Sequence, residues 1–517
     1  MSTALVLGLG ASGLAMARWL ARDGTVVRVW DSREAPPQAE ALRAQVPQAT
    51  LVAGPLDEAL LAGVDRVYKS PGLAPGDARI AAAVEAARRA GVAMAGELDL
   101  FVAALASLRE CHDYSPKVIA ITGTNGKTTT TAMTALLVER SGKRVAAAGN
   151  IGPTMLQTLA DCLDAGPAES LVARLPEVWV LELSSFQLAG STGFECDAAA
   201  ILNLSEDHLD WHGSFADYAA AKARIFGERA TIVVGRDDDA VMRLVPAPKA
   251  LPTRRGRAPK LVARRVVTFG ATAPEHGGDW GLAFENDMAW LVRARDEAEI
   301  AGEADGTGAA AAKTVVLQHL MPADALRIRG RHNALNALAA LALATAVGCP
   351  LAPMLHGLRA YSGEPHRVEY VATVAGVDAY DDSKGTNVGA TVAALVGLGS
   401  ERAPKKLVVI LGGDGKGQDF APLAAPLSRF ARGVVTIGRD AAVVEAVVAA
   451  SKVPFERCET LEAAVTAAFE RAQPGDAVLL SPACASLDMF RNYGHRAEVF
   501  VAAVHEAADR AFAGSAA

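Results

Sequence analysis

Residues 118–131 read Val-Ile-Ala-Ile-Thr-Gly-Thr-Asn-Gly-Lys-Thr-Thr-Thr-Thr, and their reading decides the fold. Val118, Ile119, Ala120 and Ile121 form a short apolar run of the kind that makes a buried parallel strand. The run enters a turn carrying Gly123, Thr124, Asn125 and Gly126, followed by Lys127, Thr128 and Thr129. Met133, Leu136 and Leu137 then fall at helical spacing. Strand, glycine turn, Lys-Thr and helix make a phosphate-binding loop. Its amides and helix N-terminus attract phosphate oxygens, Lys127 reaches the β/γ-phosphates, and the Thr128 hydroxyl is placed to ligate Mg²⁺. The loop is a shortened variant, because Gly123 stands three residues before Gly126 and Ile121 takes the usual first-glycine position. The competing reading is an ordinary strand-to-helix turn with a surface lysine.

The chain of 517 residues implies two to four domains, and a hydrophobic fraction of 51% is ample for their cores. A net charge of -7 argues against nucleic acid and anionic membrane surfaces as partners. Six scattered cysteines without a C-x-x-C pair fit a reducing compartment and argue against a zinc ribbon or disulfide frame. The apolar start at Leu5–Leu9 is too short for a signal or membrane segment, so no membrane insertion and a cytoplasmic location are expected.

The glycine turn has a counterpart near the start. A strand at Leu5–Leu7 meets Gly8, Gly10 and Gly13, and a second strand ends at Asp31. This pattern suits a dinucleotide with Asp31 on a ribose, another diphosphate such as a UDP-sugar, or close packing of a helix on a sheet. Ser70-Pro71-Gly72 ends another strand. Downstream of the phosphate loop, Val178–Leu181 ends at Glu182, whose carboxylate can hold Mg²⁺. A further strand leads to Glu206, Asp207, His208 and Asp210, either a polar loop or a metal and phosphate site. Residues 215–226 read as an amphipathic helix with Lys222 on its apolar side. Lys222 is either a snorkelling lysine or a desolvated amine able to react with CO₂ to give a Mg²⁺-binding carbamate.

The pattern weakens over residues 246–313, where an exposed, partly disordered insertion or edge hairpins are expected, with Arg254, Arg255 and Arg257 in a solvated loop. Asn333 and Asn336 either read a base or cap a helix. Beyond Glu364, strands ending in Asp381–Asn387, Gly412–Lys416, Gly438–Asp440 and Ser481–Ser486 indicate a further parallel sheet with a ligand crevice.

Taken together, GTNGKTTT, LELSSFQL, ILNLSEDHLDWH, AAAKARIF, GRHNALNALAAL, GEPHRVE, DDSKGTNVGAT, LGGDGKGQDF and LLSPACASLDMF resemble the Mur ligase family, over nearly the whole chain and in order. The resemblance implies an α/β protein of three domains. Residues 1–112 would be a Rossmann-like UDP-binding domain. Residues 113–363 would be a central phosphate-loop ATPase-type domain with an insertion near 250–313, and residues 364–517 a Rossmann-like amino-acid-binding domain. It implies an ATP-dependent amide ligase of peptidoglycan precursor synthesis, joining D-glutamate to UDP-N-acetylmuramoyl-L-alanine and working as a monomer with two Mg²⁺ ions. Carried over by position, Ser12, Asp31, Ser32, Ser70, Gly72 and Asn150 match the UDP-substrate site. Lys127, Thr128, Thr129, Asn336, Arg367, Asp382 and Lys384 match the ATP site with the loop residues 123–126. Thr128, Glu182, His208 and Lys222 as a carbamate match the metal and catalytic positions. Thr386, Lys416, Ser486, Leu487 and Tyr493 match the D-glutamate pocket, although Tyr493 replaces the family's usual Phe. Competing functions are a sibling ligase or folylpolyglutamate synthase, an NAD-dependent oxidoreductase, and a nucleotide-driven switch.

Overall fold

The computed structural model describes residues 2–56, 58–74, 76–167, 170–251, 260–286, 288–297, 315–328, 330–399 and 405–515. Its chain divides into two units. The first comprises Met1–Ala283, Val292–Leu320 and Ala337–Leu358; the second comprises Phe284–Leu291, Met321–Asn336 and Arg359–Ala517.

The first unit opens with a parallel sheet of β1 (Thr3–Leu7), β2 (Val26–Asp31), β3 (Thr50–Ala53), β4 (Arg66–Lys69) and β5 (Ala93–Ala95), in the order β3-β2-β1-β4-β5. The chain reverses direction across the sheet at β1, so the loops after β1 and β4 face one crevice, as in doubly wound folds. Next come β6 (Lys117–Thr122), β7 (Val145–Gly149), β8 (Val178–Glu182), β9 (Ala198–Ile201) and β10 (Thr231–Gly235). A small hairpin, β11 (Lys249–Leu251) and β12 (Lys260–Val262), precedes β13 (Val266–Gly270), β14 (Trp280–Glu285), β15 (Met288–Asp296) and β16 (Val315–Pro322). The central sheet runs β16-β15-β14-β13-β10-β9-β6-β8-β7, with β6 paired in parallel to β8 and β9. Helices cover its strands, so β8 is buried throughout and reads as a continuous apolar run.

Helix Glu97–His112 joins the two sheets. Phe101 on this helix meets Trp179 of β8 edge to face at 5.0 Å, and one buried core runs from Val6 through Phe101 to Ile232.

The hairpins expected over residues 250–313 are present in part, β11 and β12 pairing antiparallel and β14, β15 and β16 lying at the edge of the central sheet, but residues 266–270 were not read as a strand. Val266–Gly270 is β13, a strand of the central sheet paired in parallel with β10, and Phe269 and Trp280 are buried. Charged flanks had obscured a five-residue strand. Arg254, Arg255, Arg257 and the Gly/Ala-rich run at 301–312 lie outside the described residues.

The second unit is built on β17 (Glu369–Val374), β18 (Val377–Asp381), β19 (Leu407–Gly412), β20 (Ala431–Ile437), β21 (Phe455–Arg457) and β22 (Ala477–Leu480). The order is β17-β18-β22-β19-β20-β21, parallel except for β17, an antiparallel edge strand hydrophobicity alone did not reveal. Loops following β18, β19, β20 and β22 therefore emerge at one end of the sheet. Among the described residues no helix is long and apolar enough to cross a membrane.

Candidate active site

The phosphate loop leaves β6 at Thr122 and enters helix Lys127–Arg140 through Gly126, which takes φ +81° as N-cap. Gly123 needs its missing side chain twice over. Its φ is +150°, and a Cβ there would lie 3.1 Å from Leu202 Cβ. The loop is braced by the segment after β9. Asn203 accepts the Asn125 N–H at 2.8 Å and donates to the Asn125 carbonyl at 3.0 Å, closing a reciprocal pair. The Thr124 hydroxyl is hydrogen-bonded to the Tyr218 hydroxyl at 2.9 Å and accepts the Ser205 N–H. Lys127 folds back over this loop, donating to the carbonyls of Gly123 and Thr124.

Two buried ionisable groups flank the loop. Lys222 is 2% exposed and donates to Thr122 Oγ1 at 3.2 Å and the Gly123 carbonyl at 2.9 Å. Burial, reinforced by the Lys127 charge, holds its ammonium well below the ordinary lysine range. The Lys222 amine is thus buried among protein groups rather than reaching solvent. Glu182 is 1% exposed at the end of β8. Its Oε1 accepts the Asn150 amide at 2.9 Å, while Oε2 is buried without a hydrogen-bond partner. A buried carboxylate oxygen left unpaired is costly, and beside a phosphate loop with the Thr128 hydroxyl the donor set fits a hard divalent cation. Gly149 lets β7 approach: a Cβ there would lie 2.2 Å from the Glu182 carbonyl.

His208 adopts φ +53° and packs its ring on Phe186 at 4.7 Å, with Asp207 3.6 Å away. Phe186 also contacts Trp211 and His212, whose Nε2 is 2.9 Å from Ser185 Oγ. Burial and the neighbouring His208 and Lys222 lower the His212 pKa. Tyr218, His212 and Asn203 belong to this constellation and were not singled out as site residues from the sequence. Asn203 and His212 lie inside the ILNLSEDHLDWH stretch, and Tyr218 immediately precedes AAAKARIF.

A second cleft, of about 480 Å³, gathers Ser12, Asp31, Ser32, Ser70, Gly72 and Asn150. The loops after β1, β2, β4 and β7 thus meet around it. Asp31 serves the loop directly: Oδ2 accepts the Leu9 N–H at 2.7 Å, and Arg33 straddles both carboxylate oxygens. The Arg33 guanidinium holds the Asp31 carboxyl down at about 2. Arg33 and Arg79 line this cleft, Arg33 paired with Asp31 and Arg79 with Asp77, and Arg79 also reaches Ser32 Oγ at 3.2 Å. Neither arginine was expected. Arg33, two residues beyond Asp31, was the more detectable signal. Lys69, at the end of β4, is largely buried, donates to the Leu73 carbonyl and is lowered by burial to about 8.

In the second unit, the strand-end loops are stitched together. Ser481 donates to Asp382 Oδ2 at 2.6 Å, and Asp414 pairs with Ala485 in an isolated bridge. Arg496, fully buried, donates to the carbonyls of Ser383 and Cys484 and so ties the loops after β18 and β22. Burial raises Asp382 to about 7. Lys384 lies over the Tyr493 ring at 5.1 Å. Lys416 is exposed at φ +49°, Thr386 half-buried, Ser486 buried and Leu487 exposed. Asn336 donates to Asn333 Oδ1 at 3.2 Å near the start of helix Arg331–Ala346. His366, beside Arg367, is 2.7 Å from Asp381 through Nδ1.

A phosphate loop with a buried lysine and a carboxylate oxygen left without a partner, on the central sheet, and a glycine-loop cleft lined from that sheet and the first, define a phosphate-loop α/β enzyme. Comparison with known proteins narrows the class. Residues 2–96 match the Mur ligase MurD-like N-terminal domain, residues 121–344 the Mur ligase middle domain and residues 366–484 the Mur ligase glutamate ligase domain. The chain is 57% identical over 509 residues to the UDP-N-acetylmuramoylalanine–D-glutamate ligase of Albidiferax ferrireducens, covering 98% of this chain and 96% of that protein. It is 57% identical over 506 residues to the protein of the same name from Burkholderia cenocepacia, covering 97% and 96%. Among solved structures, UDP-N-acetylmuramate-alanine ligase MurC from Thermotoga maritima matches with TM-score 0.55 at 19% identity, covering 98% of this chain and all of that one. MurF ligase from Thermotoga maritima, in complex with ADP, matches with TM-score 0.54 at 16% identity, covering 94% and 95%. The chain belongs to the Mur ligase family.

Proposed function

We propose that this protein is a cytoplasmic ATP-dependent ligase that joins D-glutamate to UDP-N-acetylmuramoyl-L-alanine, releasing ADP and phosphate. The observation that carries this reading is the 57% identity, over 98% of the chain, to a relative named for that reaction. The domain boundaries near residues 112 and 363 and the residue roles below are part of the proposal.

The chemistry follows from the poor reactivity of a carboxylate, whose leaving group would be oxide. An oxygen of the substrate's alanine carboxylate attacks the γ-phosphorus of ATP, the bond to ADP breaks, and an acyl phosphate forms. Lys127 and the loop amides stabilise charge on the transferring phosphoryl group, joined by Arg367. Thr128, Glu182, His208 and the carbamate of Lys222 would hold Mg²⁺, which supplies charge neutralisation at the phosphates and the acceptor carboxylate when bound. Carbamate formation needs an unprotonated amine, which the burial of Lys222 favours. The D-glutamate amine then attacks the acyl carbon, and phosphate leaves with one of the original carboxylate oxygens as the amide forms. Ser12, Ser32, Ser70, Gly72 and Asn150 bind the UDP-linked substrate, and Asp31 shapes its glycine loop. Asn336, Asp382 and Lys384 serve the nucleotide. Thr386, Lys416, Ser486, Leu487 and Tyr493 bind D-glutamate, with Lys416 and Ser486 on its carboxylates.

Phosphate release from ATP tests the assignment. Release requiring both UDP-N-acetylmuramoyl-L-alanine and D-glutamate, and absent with L-glutamate, is expected. Release indifferent to both compounds would leave an ATPase of another purpose.

A further inference from the structure

Amide formation needs the D-glutamate nitrogen as a free amine, and the chemistry above names no group that takes its proton. An amino acid in neutral water carries an ammonium, which has no lone pair to attack with. An imidazole in the second unit is placed for that task. His366 lies three residues before β17 and takes φ +64°. Its backbone is held on both sides. The N–H donates to Glu369 Oε2 at 2.8 Å, and the carbonyl accepts the Lys384 N–H at 3.2 Å.

The ring is fixed from behind. Nδ1 is 2.7 Å from Oδ2 of Asp381, the last residue of β18. Asp381 is fully buried, and its other oxygen accepts the N–H and the hydroxyl of Ser383 at 2.9 and 2.6 Å. A carboxylate held in this way accepts from Nδ1–H, which leaves the lone pair of the neutral ring on Nε2. It also stabilises the imidazolium that forms when Nε2 takes up a proton. Nε2 has no hydrogen-bond partner among the described residues, and the side chain is 30% exposed.

The ring stands beside residues placed in the D-glutamate pocket. It meets the Tyr493 ring edge to face at 6.3 Å, and Lys384 lies over the same Tyr493 ring at 5.1 Å. Thr386 follows Lys384 by two residues in the loop that the His366 carbonyl holds. The charged groups around His366 are Asp381 and Glu369, the latter 3.8 Å from Nδ1, with Arg367 next in the chain and Lys384 across the backbone bond. Asp382, bonded to Ser481, and Arg496, bonded to the Ser383 carbonyl, belong to the same surroundings.

We propose that His366 is the base that deprotonates D-glutamate, with Asp381 as its positioning residue. This rests on the assignment of the D-glutamate pocket. The ammonium N–H bond breaks, its electron pair stays on nitrogen, and the proton passes to Nε2. The amine then attacks the acyl carbon, the C–N bond forms, and the C–O bond to phosphate breaks. A second proton leaves nitrogen with the phosphate, and His366 returns its proton to water.

The test is the pH dependence of phosphate release by the full-length protein, read as kcat/KM for D-glutamate, with KM for ATP measured alongside. His366→Gln can still bond Asp381 but cannot take the proton. At pH 7 it is expected to lose about 100-fold in kcat/KM, with KM for ATP within about twofold. Raising the pH supplies the free amine directly, so the deficit should shrink by about tenfold per pH unit up to pH 9. Asp381→Asn keeps an acceptor for Nδ1–H without the charge. It should lose about tenfold at pH 7 and recover in the same way. If His366→Gln does not fold, Asp381→Asn carries the test. No loss in the variant measured, a deficit equal at pH 7 and pH 9, or a matching rise in KM for ATP would overturn the proposal. Wild-type release that does not depend on D-glutamate would instead overturn the assignment of the pocket, and this role with it.

Discussion

Glu182 and Asp382 show how burial assigns tasks to carboxyls that look alike in sequence. Glu182 has one oxygen committed to Asn150 and the other unpaired beside the phosphate loop. Glu182→Gln preserves shape and the Asn150 contact but lowers the charge available to a cation. Phosphate release is expected to fall about 100-fold or more with the melting temperature little changed. A simultaneous collapse of stability would make the residue structural. Asp382 is raised to about 7 by burial. Its folded form retains a proton that the unfolded chain gives up near pH 4, so its contribution to stability is full below pH 4 and is lost as pH rises toward 7. The loss is bounded at roughly 4 kcal/mol. Asp382→Asn should therefore unfold later than wild type at pH 8 and together with it at pH 4. The same advantage at both pH values would place the effect in packing instead. Much at this scale was hidden from the sequence. The arginine that grips Asp31 was near enough to notice, whereas the partners of Arg496 lie up to 113 residues away, joined only by the fold.

Strands and turns were more legible, for a physical reason. A strand covered on both faces is apolar at every position, so Val118–Ile121 and Val178–Leu181 read directly from composition. A glycine at the end of a strand or helix marks a turn or a close approach. Gly149 and Gly142 distinguish these uses. Both have positive φ, but a Cβ at Gly149 meets the Glu182 carbonyl at 2.2 Å, and at Gly142 it meets nothing within 4 Å. Gly142→Ala should cost about 1 kcal/mol, the left-handed conformation alone. Gly149→Ala should cost clearly more, about 3 kcal/mol, because β7 must also move from β8. Denaturant midpoints measure both, and equal losses would contradict the close-approach argument. β13 and β17 escaped notice because one is a five-residue strand with charged flanks and the other is a partly exposed edge, where hydrophobic pattern is weak.

Across the molecule, the order of motifs carried the α/β class and the three family regions, while burial and pairing gave the site its geometry. The first unit carries the phosphate loop on the central sheet and a glycine-loop cleft lined from both sheets, joined by one core. Lys127 does not line the cleft, so its loss should leave the cleft able to bind. Lys127→Ala is expected to reduce phosphate release about 100-fold or more. Its affinity for UDP-N-acetylmuramoyl-L-alanine should stay within about twofold by calorimetry. A parallel loss of that affinity would show that the loop lysine also shapes the cleft.

The central claim is that ATP activates a carboxylate, and oxygen transfer tests it most directly. UDP-N-acetylmuramoyl-L-alanine labelled with ¹⁸O in the alanine carboxylate would be converted with ATP and D-glutamate, and the released phosphate analysed by mass spectrometry. The acyl-phosphate route predicts one ¹⁸O in each phosphate formed, matched to the amide product. Unlabelled phosphate, released whether or not amide forms, would contradict it.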